Sequence, residues 1–525
     1  MLNRGQDMAQ RVNLDAMIQR EDFAREVGDE SSPEIIRELK LGDLQQGAPI
    51  RRLLRKPDFQ RETNHWKPDQ VLRLLTSWLD GDVIPAIILW RSTNYVFVID
   101  GAHRLSALCA WISDDYGQGP ISRAFYGGEI SKDQQRIGDR MRNIVNRQIG
   151  SFTSLDGLVG RRAEGDESRR AGGMFTRPIY LQQVVGNAAV AEASFFAINT
   201  QGTPLDETET LLIKARQKPV AIGARAIVRS GKGHAYWSSF SAKNQQEVVR
   251  LAGELHEIIF EPQVTKPLKT LNVPHGGPSS PVDALAVLID FLTVANSTSA
   301  TKFDDPLGYP DDDTGDKTIE VLKAGLRVAN RITGNAGESL GLHPAVYFTT
   351  EQGKHSRFLF LGMVATVSEK LRNNDGGWFL KFTKARKKIE AFLIEHTSLI
   401  GVILQNLAKP SRIPKMRDMF NFMVTTANAG QDITPQGLIT HLALSARIYD
   451  VAVPSRSVDF TDDTKSMIFY RDAIKREHVC PVCSGLVDIT KSVSFDHMTP
   501  RRAHGLGTVE NGQMVHPYCN TAVKN

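Results

Sequence analysis

The strongest constraint on the fold lies in the last 46 residues of this 525-residue chain, which hold three of its four cysteines. Cys480 and Cys483 form a Cys-x-x-Cys pair, and His516 and Cys519 form a His-x-x-Cys pair that begins 33 positions after Cys483. Two such pairs supply the four thiolate and imidazole ligands that a structural Zn²⁺ requires. The spacing therefore predicts a small zinc-stabilised domain, and it favours a reduced compartment over a disulfide framework.

Polar residues with catalytic chemistry lie between and beside these ligands. An apolar stretch ends at Asp496 and His497, Asn511 follows after a glycine-containing loop, and Asn520 comes directly after the last cysteine. An imidazole can act as a general base near neutral pH, and carboxylate and amide oxygens are ligands for divalent cations. The alternative is a zinc ribbon that only binds nucleic acid or protein, with Asp496 and His497 as polar residues at a strand end.

The order CxxC, DHxxP, Asn and a final ligand pair followed by Asn resembles the HNH endonucleases, which have a zinc-stabilised ββα-metal fold. His516 stands where that family usually has cysteine, a sound exchange because Zn²⁺ accepts imidazole nitrogen, and His504 is a less well placed alternative ligand. The resemblance implies that His497 is the general base that activates water. It also implies that Asp496 and Asn520 hold one catalytic Mg²⁺ or Mn²⁺.

The same resemblance gives supporting roles to three further residues. Asn511 would hold the loop of His497 in its productive orientation. Arg501 and Arg502 lie close enough in sequence to bind neighbouring DNA phosphates. With them the predicted site is that of a metal-dependent DNA endonuclease.

A second motif lies near residue 100. The apolar stretches IPAIILW and YVFVID predict two strands, and a helix is predicted to begin after Asp100 and Gly101. A strand, a glycine turn and a helix start can bind a phosphate through the first amides of the helix, with Arg104 closing on it. The alternative is a structural turn in which Asp100 caps the helix and Arg104 is a surface charge.

The order PDFQRETNHW, GDVIPAIILW, VIDGAHRLSAL and FFAINTQGTPLDETE resembles the ParB/sulfiredoxin-like N-terminal domain of GmrSD-type modification-dependent restriction enzymes and of SspE-like phosphorothioate-sensing effectors. That domain binds and hydrolyses a nucleoside triphosphate at a DGQQR motif, and GTP and ATP are the candidates here. Ala102 and His103 replace the two glutamines, so an amide that could order a water is gone. The resemblance implies nucleotide binding by Gln60, Arg61, Asp100, Gly101, His103, Arg104 and Asn199.

Composition places the chain among ordinary globular proteins, with 41% hydrophobic and 23% charged residues. Its length predicts two or three domains. The formal charge of +5 permits a polyanionic partner without requiring one. The start is polar and no apolar run reaches about 18 residues, so we expect a cytoplasmic protein with no membrane partner. The sequence leaves the oligomeric state open and is compatible with a homo-oligomer.

The predicted fold class is α+β and multidomain. Its parts are a helical N-terminal extension (1–45), a ParB/sulfiredoxin-like α/β sensing domain (46–215), a mostly α-helical middle domain (216–450), a linker (451–470) and an HNH domain (471–525). Apolar residues recur three and four apart throughout the middle domain. The arginine-rich stretch 161–177 predicts a flexible loop and the basic stretch 381–388 a solvated helical face, with DNA contact as the alternative for each.

These features together predict an anti-phage effector. In it, an HNH DNA endonuclease is gated by an NTP-binding and NTP-hydrolysing domain that senses modified DNA. The modification would be a phosphorothioate or a modified phage base. One alternative is a non-catalytic, nucleotide-dependent DNA-binding switch in which the zinc module is structural, and another is an HNH nuclease that acts on RNA.

Overall fold

A computed structural model describes residues 11–23, 37–60, 63–161, 164–201, 207–264, 267–278, 281–299, 303–445 and 460–524. The chain divides into two compact units. The first unit comprises Met1–Arg216 with Lys232–Tyr236, and the second comprises Gln217–Gly231 with Trp237–Asn525. The second unit thus contains the predicted HNH segment together with nearly all of the predicted helical middle domain.

A six-stranded mixed sheet forms the centre of the first unit. Its strands are β1 (Arg20–Glu21), β2 (Glu38–Leu39), β3 (Leu54–Pro57), β4 (Ile87–Arg91), β5 (Val96–Asp100) and β6 (Ile179–Val184). Their order across the sheet is β1-β3-β5-β4-β6-β2. β4 and β5 pair antiparallel, as expected for neighbouring strands joined by a short turn, whereas β3 runs parallel to β5 and β6 parallel to β4.

Nine helices pack around this sheet in the described part of the first unit. They are α1 (Pro49–Leu53), α2 (Pro68–Asp80), α3 (Ala102–Ser113), α4 (Pro120–Phe125), α5 (Lys132–Gln148), α6 (Phe152–Asp156), α7 (Asp166–Met174), α8 (Ala188–Gln201) and α9 (Glu207–Lys214). α2 shows why such segments are helical. Proline occupies its first turn, its apolar residues face the core, and Gly81 ends it with a φ of 90°.

The helical extension predicted for residues 1–45 is mostly wrong for the parts that the structure describes, 11–23 and 37–45, whose helical elements are two short 3-10 helices, Asp15–Met17 and Leu41–Leu44. Val12 and Leu14 are buried two positions apart, and their amides donate to the carbonyls of Trp66 and Thr63. This spacing and this pairing are those of extended chain, not helix. The strands β1 and β2 then join opposite ends of the sheet, so the extension is part of the first unit's fold.

The arginine-rich stretch 161–177 is also more ordered than predicted, because most of it forms α7. Arg170 Nε donates to Asp80 Oδ1 at 2.7 Å, and Arg177 Nη1 donates to the carbonyl oxygen of Trp78 at 2.7 Å. Both contacts lie at the C-terminal end of α2, where unpaired carbonyls favour a cation. These two arginines therefore stabilise the unit rather than extend into solvent.

The second unit is mostly helical, as predicted. Its helices are α10 (Pro219–Val228), α11 (Ala242–Phe260), α12 (Pro281–Asn296), α13 (Asp316–Ile332), α14 (Pro344–Tyr347), α15 (Arg357–Arg372), α16 (Gly376–Glu395), α17 (Thr397–Asn406), α18 (Arg412–Asn428), α19 (Pro435–His441) and α20 (Asp462–Ile474). α20 begins within the predicted linker 451–470, of which 451–459 lie outside the described residues. No described helix is long and apolar enough to cross a bilayer.

The C-terminal segment of the second unit adds a short hairpin to these helices. β7 (Ser494–His497) pairs antiparallel with β8 (Gly512–Val515), and a π-helical turn (Cys519–Val523) follows. Two strands of four residues bury little apolar surface, so such a module depends on a metal or on neighbouring elements for stability. A cluster of potential metal ligands and several neighbouring helices both lie around this hairpin.

Candidate functional site

The two predicted ligand pairs come together in the second unit. The ligand atoms of Cys480, Cys483, His516 and Cys519 all lie within 4.8 Å of one another, and all four residues are buried. Nδ1 of His516 is 3.3 Å from the sulfur of Cys483 and 3.8 Å from that of Cys519. Three sulfurs and one imidazole nitrogen at such separations are a donor set that fits tetrahedral Zn²⁺. His504 is exposed and is not part of the cluster.

The His516 ring is oriented for metal binding through Nδ1. Its Nε2 is 2.9 Å from the carbonyl oxygen of Leu486, to which it donates in the neutral tautomer, leaving Nδ1 as the acceptor that faces the sulfurs. Burial, together with the charge of Arg386, lowers the pKa of His516. Both effects keep the ring neutral, which is the form that binds a cation.

A buried ion pair from α16 supports the same backbone segment. Arg386 Nε donates to Glu390 Oε1 at 2.6 Å, and the two side chains are 2% and 4% exposed. Glu390 Oε2 accepts from the Leu486 amide at 2.6 Å, while Arg386 Nη1 donates to the carbonyl of Leu340 at 2.6 Å. A side chain at Gly485 would overlap Arg386, so this glycine allows the close approach. Leu486, whose carbonyl orients the His516 ring, is thus held in place by helix α16.

Further contacts join the C-terminal module to the loop after α13. Ser492 Oγ lies 2.9 Å from Thr333 Oγ1 and accepts from the Gly334 amide at 2.8 Å. The Tyr518 amide donates to the carbonyl of Ser339 at 3.0 Å. Ser492 and Tyr518 both lie between ligands of the cluster on the chain, so the module is built onto the helices rather than connected to them by a tether alone.

Asp496 and His497 end strand β7, as the sequence predicts. Asp496 is paired with Gln513 on β8, and His497 with Gly512. Asp496 is only 9% exposed, and its Oδ2 accepts from Gln513 Nε2 at 2.7 Å and from Lys524 Nζ at 2.5 Å. Lys524 also donates to the His497 carbonyl oxygen at 2.6 Å. A cationic group of the chain itself therefore lies against the predicted metal-binding carboxylate.

Asn511 holds the loop that follows His497. Its Oδ1 accepts from the Thr499 amide at 2.7 Å, and its Nδ2 donates to the carbonyl oxygens of Leu506 at 2.8 Å and Thr499 at 3.2 Å. The Asn511 carbonyl accepts from the amide of Met498 at 2.8 Å. The side chain acts through backbone groups on both sides of the loop and not through the imidazole ring.

The remaining predicted residues of this module lie around the hairpin. Asn520 Nδ2 donates to Ser494 Oγ at 2.8 Å and to the carbonyl oxygen of Phe495 at 3.3 Å, which places the Asn520 amide against β7. Arg501 and Arg502 are exposed in a single turn of 3-10 helix on the loop after β7. The arrangement leaves both guanidinium groups accessible to an anionic ligand.

In the first unit, the turn between β5 and α3 has the predicted form. Gly101 has a φ of 94°, and a side chain there would overlap Ile87 Cδ1, so glycine is required for both reasons. Arg104 Nη2 donates to Asp100 Oδ2 at 2.6 Å and to the Ala86 carbonyl at 3.1 Å. Asp100 and Arg104 are therefore paired with each other at this turn.

Gln60 and His103 lie next to this turn. Gln60 Nε2 donates to the carbonyl oxygen of Ile99 at 3.3 Å, and its buried Oε1 has no hydrogen-bond partner within the described ranges. The His103 ring stacks on Trp66, with centroids 5.4 Å apart and an interplanar angle of 27°. Arg61 and the side chain of Asn199 lie outside the described residues.

A fully buried charge cluster fixes the segment that carries Gln60. Lys56 Nζ donates to Asp15 Oδ1 at 2.8 Å and to Thr63 Oγ1 at 2.9 Å, and Arg20 also pairs with Asp15. Burial alone would raise the pKa of Asp15, but Arg20 and Lys56 together hold it well below its usual value. The cluster ties β1, β3 and the chain on either side of Gln60 to one another.

Comparison with known families finds a match for each of the two regions that carry these residues. Residues 41–216 match the family described as the GmrSD restriction endonuclease N-terminal domain, and residues 480–525 match the HNH endonuclease family. The chain joins a GmrSD N-terminal domain to an HNH endonuclease domain. No curated protein and no solved structure gives a significant match. The HNH match supports a nuclease and implies that it binds DNA, and the GmrSD match supports a connection with restriction in phage defence.

Sequence reasoning missed several residues that shape these sites. Lys524 and Gln513 both contact Asp496 in the HNH domain, and Arg386 and Glu390 support its zinc-ligand cluster from 96 and more positions away. In the GmrSD domain, His65 Nε2 lies 3.3 Å from Glu209 Oε1. Gln513 could have been found from the sequence, because a hairpin of the two predicted strands pairs it with Asp496. The long-range contacts of Arg386 and Glu390 had no such sequence signal.

Proposed function

We propose that the protein is a metal-dependent DNA endonuclease of the HNH type, in which His497 is the general base. The observation that carries the proposal is the Asp496–His497 pair at the end of β7, in a loop held by Asn511 and beside a buried Cys3His cluster. Hydrolysis of a phosphodiester is accelerated when a base takes a proton from the attacking water and a cation offsets the charge on the phosphate. This hairpin offers a residue for each task.

Asp496 is a suitable ligand for the catalytic cation, because Mg²⁺ and Mn²⁺ bind carboxylate oxygens. The buried Asp496 carboxylate contacts the ammonium of Lys524, which a metal ion would have to displace or share the carboxylate with. Asp496 and the amide oxygen of Asn520 would hold Mg²⁺ or Mn²⁺, which would neutralise charge on the scissile phosphate and on the leaving oxygen. His497 would take the proton from the attacking water, and Arg501 and Arg502 would bind neighbouring phosphates.

Gating by the GmrSD domain is the second part of the proposal. A nucleoside triphosphate, GTP or ATP, would place a phosphate at the start of α3, where Gly101 lets the backbone turn and the first amides lack helical partners. Arg104 would then exchange its contact with Asp100 for one with phosphate, and the free Oε1 of Gln60 would accept from the ligand. His103 occupies the position of a motif glutamine, so we expect slow hydrolysis.

The domain would sense a DNA modification, either a phosphorothioate or a modified phage base. The HNH residues named above bind phosphates and a metal, which all DNA offers, so target choice has to come from elsewhere in the chain. The resemblance of the N-terminal domain to modification-dependent enzymes supports this assignment of roles.

Cleavage of matched plasmids tests the proposal. Unmodified, glucosylated and phosphorothioated plasmids are incubated with the full chain and Mg²⁺ or Mn²⁺, with and without GTP or ATP. We expect cutting or nicking that depends on the divalent ion and that is at least about tenfold faster on one modified plasmid with nucleotide. If no plasmid is cut under any of these conditions, the proposal of a DNA endonuclease fails.

A further inference from the structure

A row of basic side chains runs along one face of α5 in the first unit. Lys132, Arg136, Arg140 and Arg147 recur at spacings of four, four and seven residues, which places them on one face of the helix. The buried residues of α5, Gly138, Met141 and Val145, lie on the opposite face. The basic row therefore faces away from the core and is not needed to pack the helix.

This row forms one wall of a groove. The groove has a volume of about 820 Å³ and is lined by the four basic residues, by Arg123 from α4 and by the half-buried Ile130 and Ile144. Asp139 is the only acidic residue that lines it, and its carboxylate accepts from Gln135 Nε2 at 2.7 Å. Five cationic side chains outnumber Asp139 and Asp133, the latter paired with Arg136, so the groove has a positive potential, which its concavity focuses.

Hydrogen bonds within the protein hold one of the cationic side chains of the groove, Arg123, in place. Arg123 Nε donates to the Gln118 carbonyl oxygen at 3.2 Å, and its Nη2 donates to Gln135 Oε1. Its guanidinium is therefore held at the edge of the groove by neutral groups, which leave its positive charge uncompensated. The Arg136 and Asp133 pair, in contrast, is exposed and 3.3 Å long, and such pairs exchange readily with an anionic ligand.

The dimensions of the row suit a DNA strand. α5 rises about 1.5 Å per residue, so Arg136 and Arg147 lie about 16 Å apart along its axis. One strand of B-DNA advances about 3.4 Å along the duplex axis for each phosphate and also winds around that axis, so a straight row of this length can contact several neighbouring phosphates. A nucleoside triphosphate has three phosphates and would leave part of the row without a ligand.

We propose that this groove binds the sugar-phosphate backbone of double-stranded DNA and is a second DNA contact, separate in sequence from the HNH residues. The inference rests on the proposed function only in taking DNA as the polyanion. Contacts of this kind carry no base sequence information, so the groove would hold any duplex and leave discrimination to the sensing site. It would also raise the rate of encounter with DNA at low salt.

The test measures DNA binding separately from cutting. A fluorescent 30-base-pair duplex is titrated with the full chain without added Mg²⁺ or Mn²⁺, at several salt concentrations. The variant replaces Arg136, Arg140 and Arg147 by Gln, which preserves helix propensity. The control replaces Lys243, Lys317 and Lys323 by Gln, three exposed cations of the second unit. Both variants lose the same formal charge.

We expect the groove variant to bind at least about tenfold more weakly than the control at low salt, with a slope of log K against log salt that is smaller by about 2 to 3, since each lost phosphate contact removes about 0.9. Equal affinity and slope for the two variants would overturn the proposal. Loss of binding to a fluorescent ATP analogue, with duplex binding unchanged, would also overturn it. Because the assay needs no cleavage, it stands even if the HNH domain proves not to cut.

Discussion

At Asp496, a lysine of the chain and the proposed metal ion compete for one carboxylate. The same oxygen, Oδ2, accepts from Gln513 and from the ammonium of Lys524. A divalent ion at this carboxylate has to displace the ammonium or share the carboxylate with it. Two cations beside one carboxylate repel each other, so Lys524 opposes metal binding and keeps the carboxylate paired when no metal is bound.

Replacing Lys524 by Gln should therefore lower the Mg²⁺ concentration that gives half-maximal cutting. An ion pair of this partly exposed kind is worth about 1 kcal/mol, which corresponds to about a fivefold change. The measurement is plasmid cutting against Mg²⁺ concentration, with Lys475→Gln, an exposed lysine after α20, as the matched control. A half-saturating concentration that stays the same or rises would show that Lys524 supports the site instead.

The contrast between the zinc ligands and Lys524 shows what single residues reveal in a sequence. Cys480, Cys483, His516 and Cys519 were identified because a metal fixes both their chemistry and their spacing. Lys524 has no such restriction, since a lysine near a turn is usually solvated. Its contact with Asp496 follows from the π-helical turn Cys519–Val523, whose geometry the sequence did not indicate.

Among the helices, α16 differs most from its sequence-based description. The basic stretch 381–388 was predicted to be a solvated face, and Lys381, Lys384, Lys387 and Lys388 are exposed as expected. Arg386 is instead buried, with Glu390 one helical turn away. The helical period alone could have shown that Arg386 lies on a different face of α16 from these lysines. Its contacts with the carbonyls of Leu340, Gly341 and Leu486 depend on tertiary packing and could not be predicted.

Replacing Glu390 by Gln should destabilise the second unit and loosen its metal. The change leaves the Arg386 charge buried without its counter-ion, which typically costs about 3–5 kcal/mol. We expect a lower unfolding temperature and faster transfer of zinc to a chelator. Lys384→Gln on the same helix is the control, because its exposed side chain contributes little to stability. If the two variants unfold and lose zinc alike, α16 does not support the cluster.

The strands and the helix near Gly101 were predicted well, because an apolar strand followed by a glycine and an apolar helix is a local pattern. The described parts of the first 45 residues, 11–23 and 37–45, were predicted poorly. Their fold depends on pairing with residues far along the chain, as in the contact of β2 with β6, and polar spacing alone cannot distinguish such edge strands from a helix.

Buried histidines make the stability of the whole second unit sensitive to acid. Burial lowers the pKa of His275 to about 3 and that of His355 to about 4. In the unfolded chain each would titrate at about 6.5. The unfolded state therefore takes up protons first, so stability is complete above about pH 6.5 and decreases as the pH falls towards 4.

We expect the unfolding temperature of the second unit to fall between pH 7.5 and pH 5, and to fall less in His355→Gln. Neutral His355 donates from Nε2 to the carbonyl oxygen of His275 at 2.9 Å, and a Gln amide can keep such a contact without titrating. The comparison uses thermal unfolding of both proteins at each pH. An identical decrease in the two proteins would assign the acid sensitivity to other groups, such as the zinc ligands.

The central claim is that His497 activates water in a zinc-supported HNH domain, and it is tested most directly by comparing His497→Asn with His504→Asn. Both residues lie in the same module, but His504 is exposed, has a φ of 61° that asparagine tolerates, and is not in the ligand cluster. Plasmid cutting is measured with Mg²⁺ or Mn²⁺ after zinc content is shown to equal that of the wild type. We predict at least about a hundredfold loss for His497→Asn and nearly normal cutting for His504→Asn, whereas undiminished cutting by His497→Asn would contradict the claim.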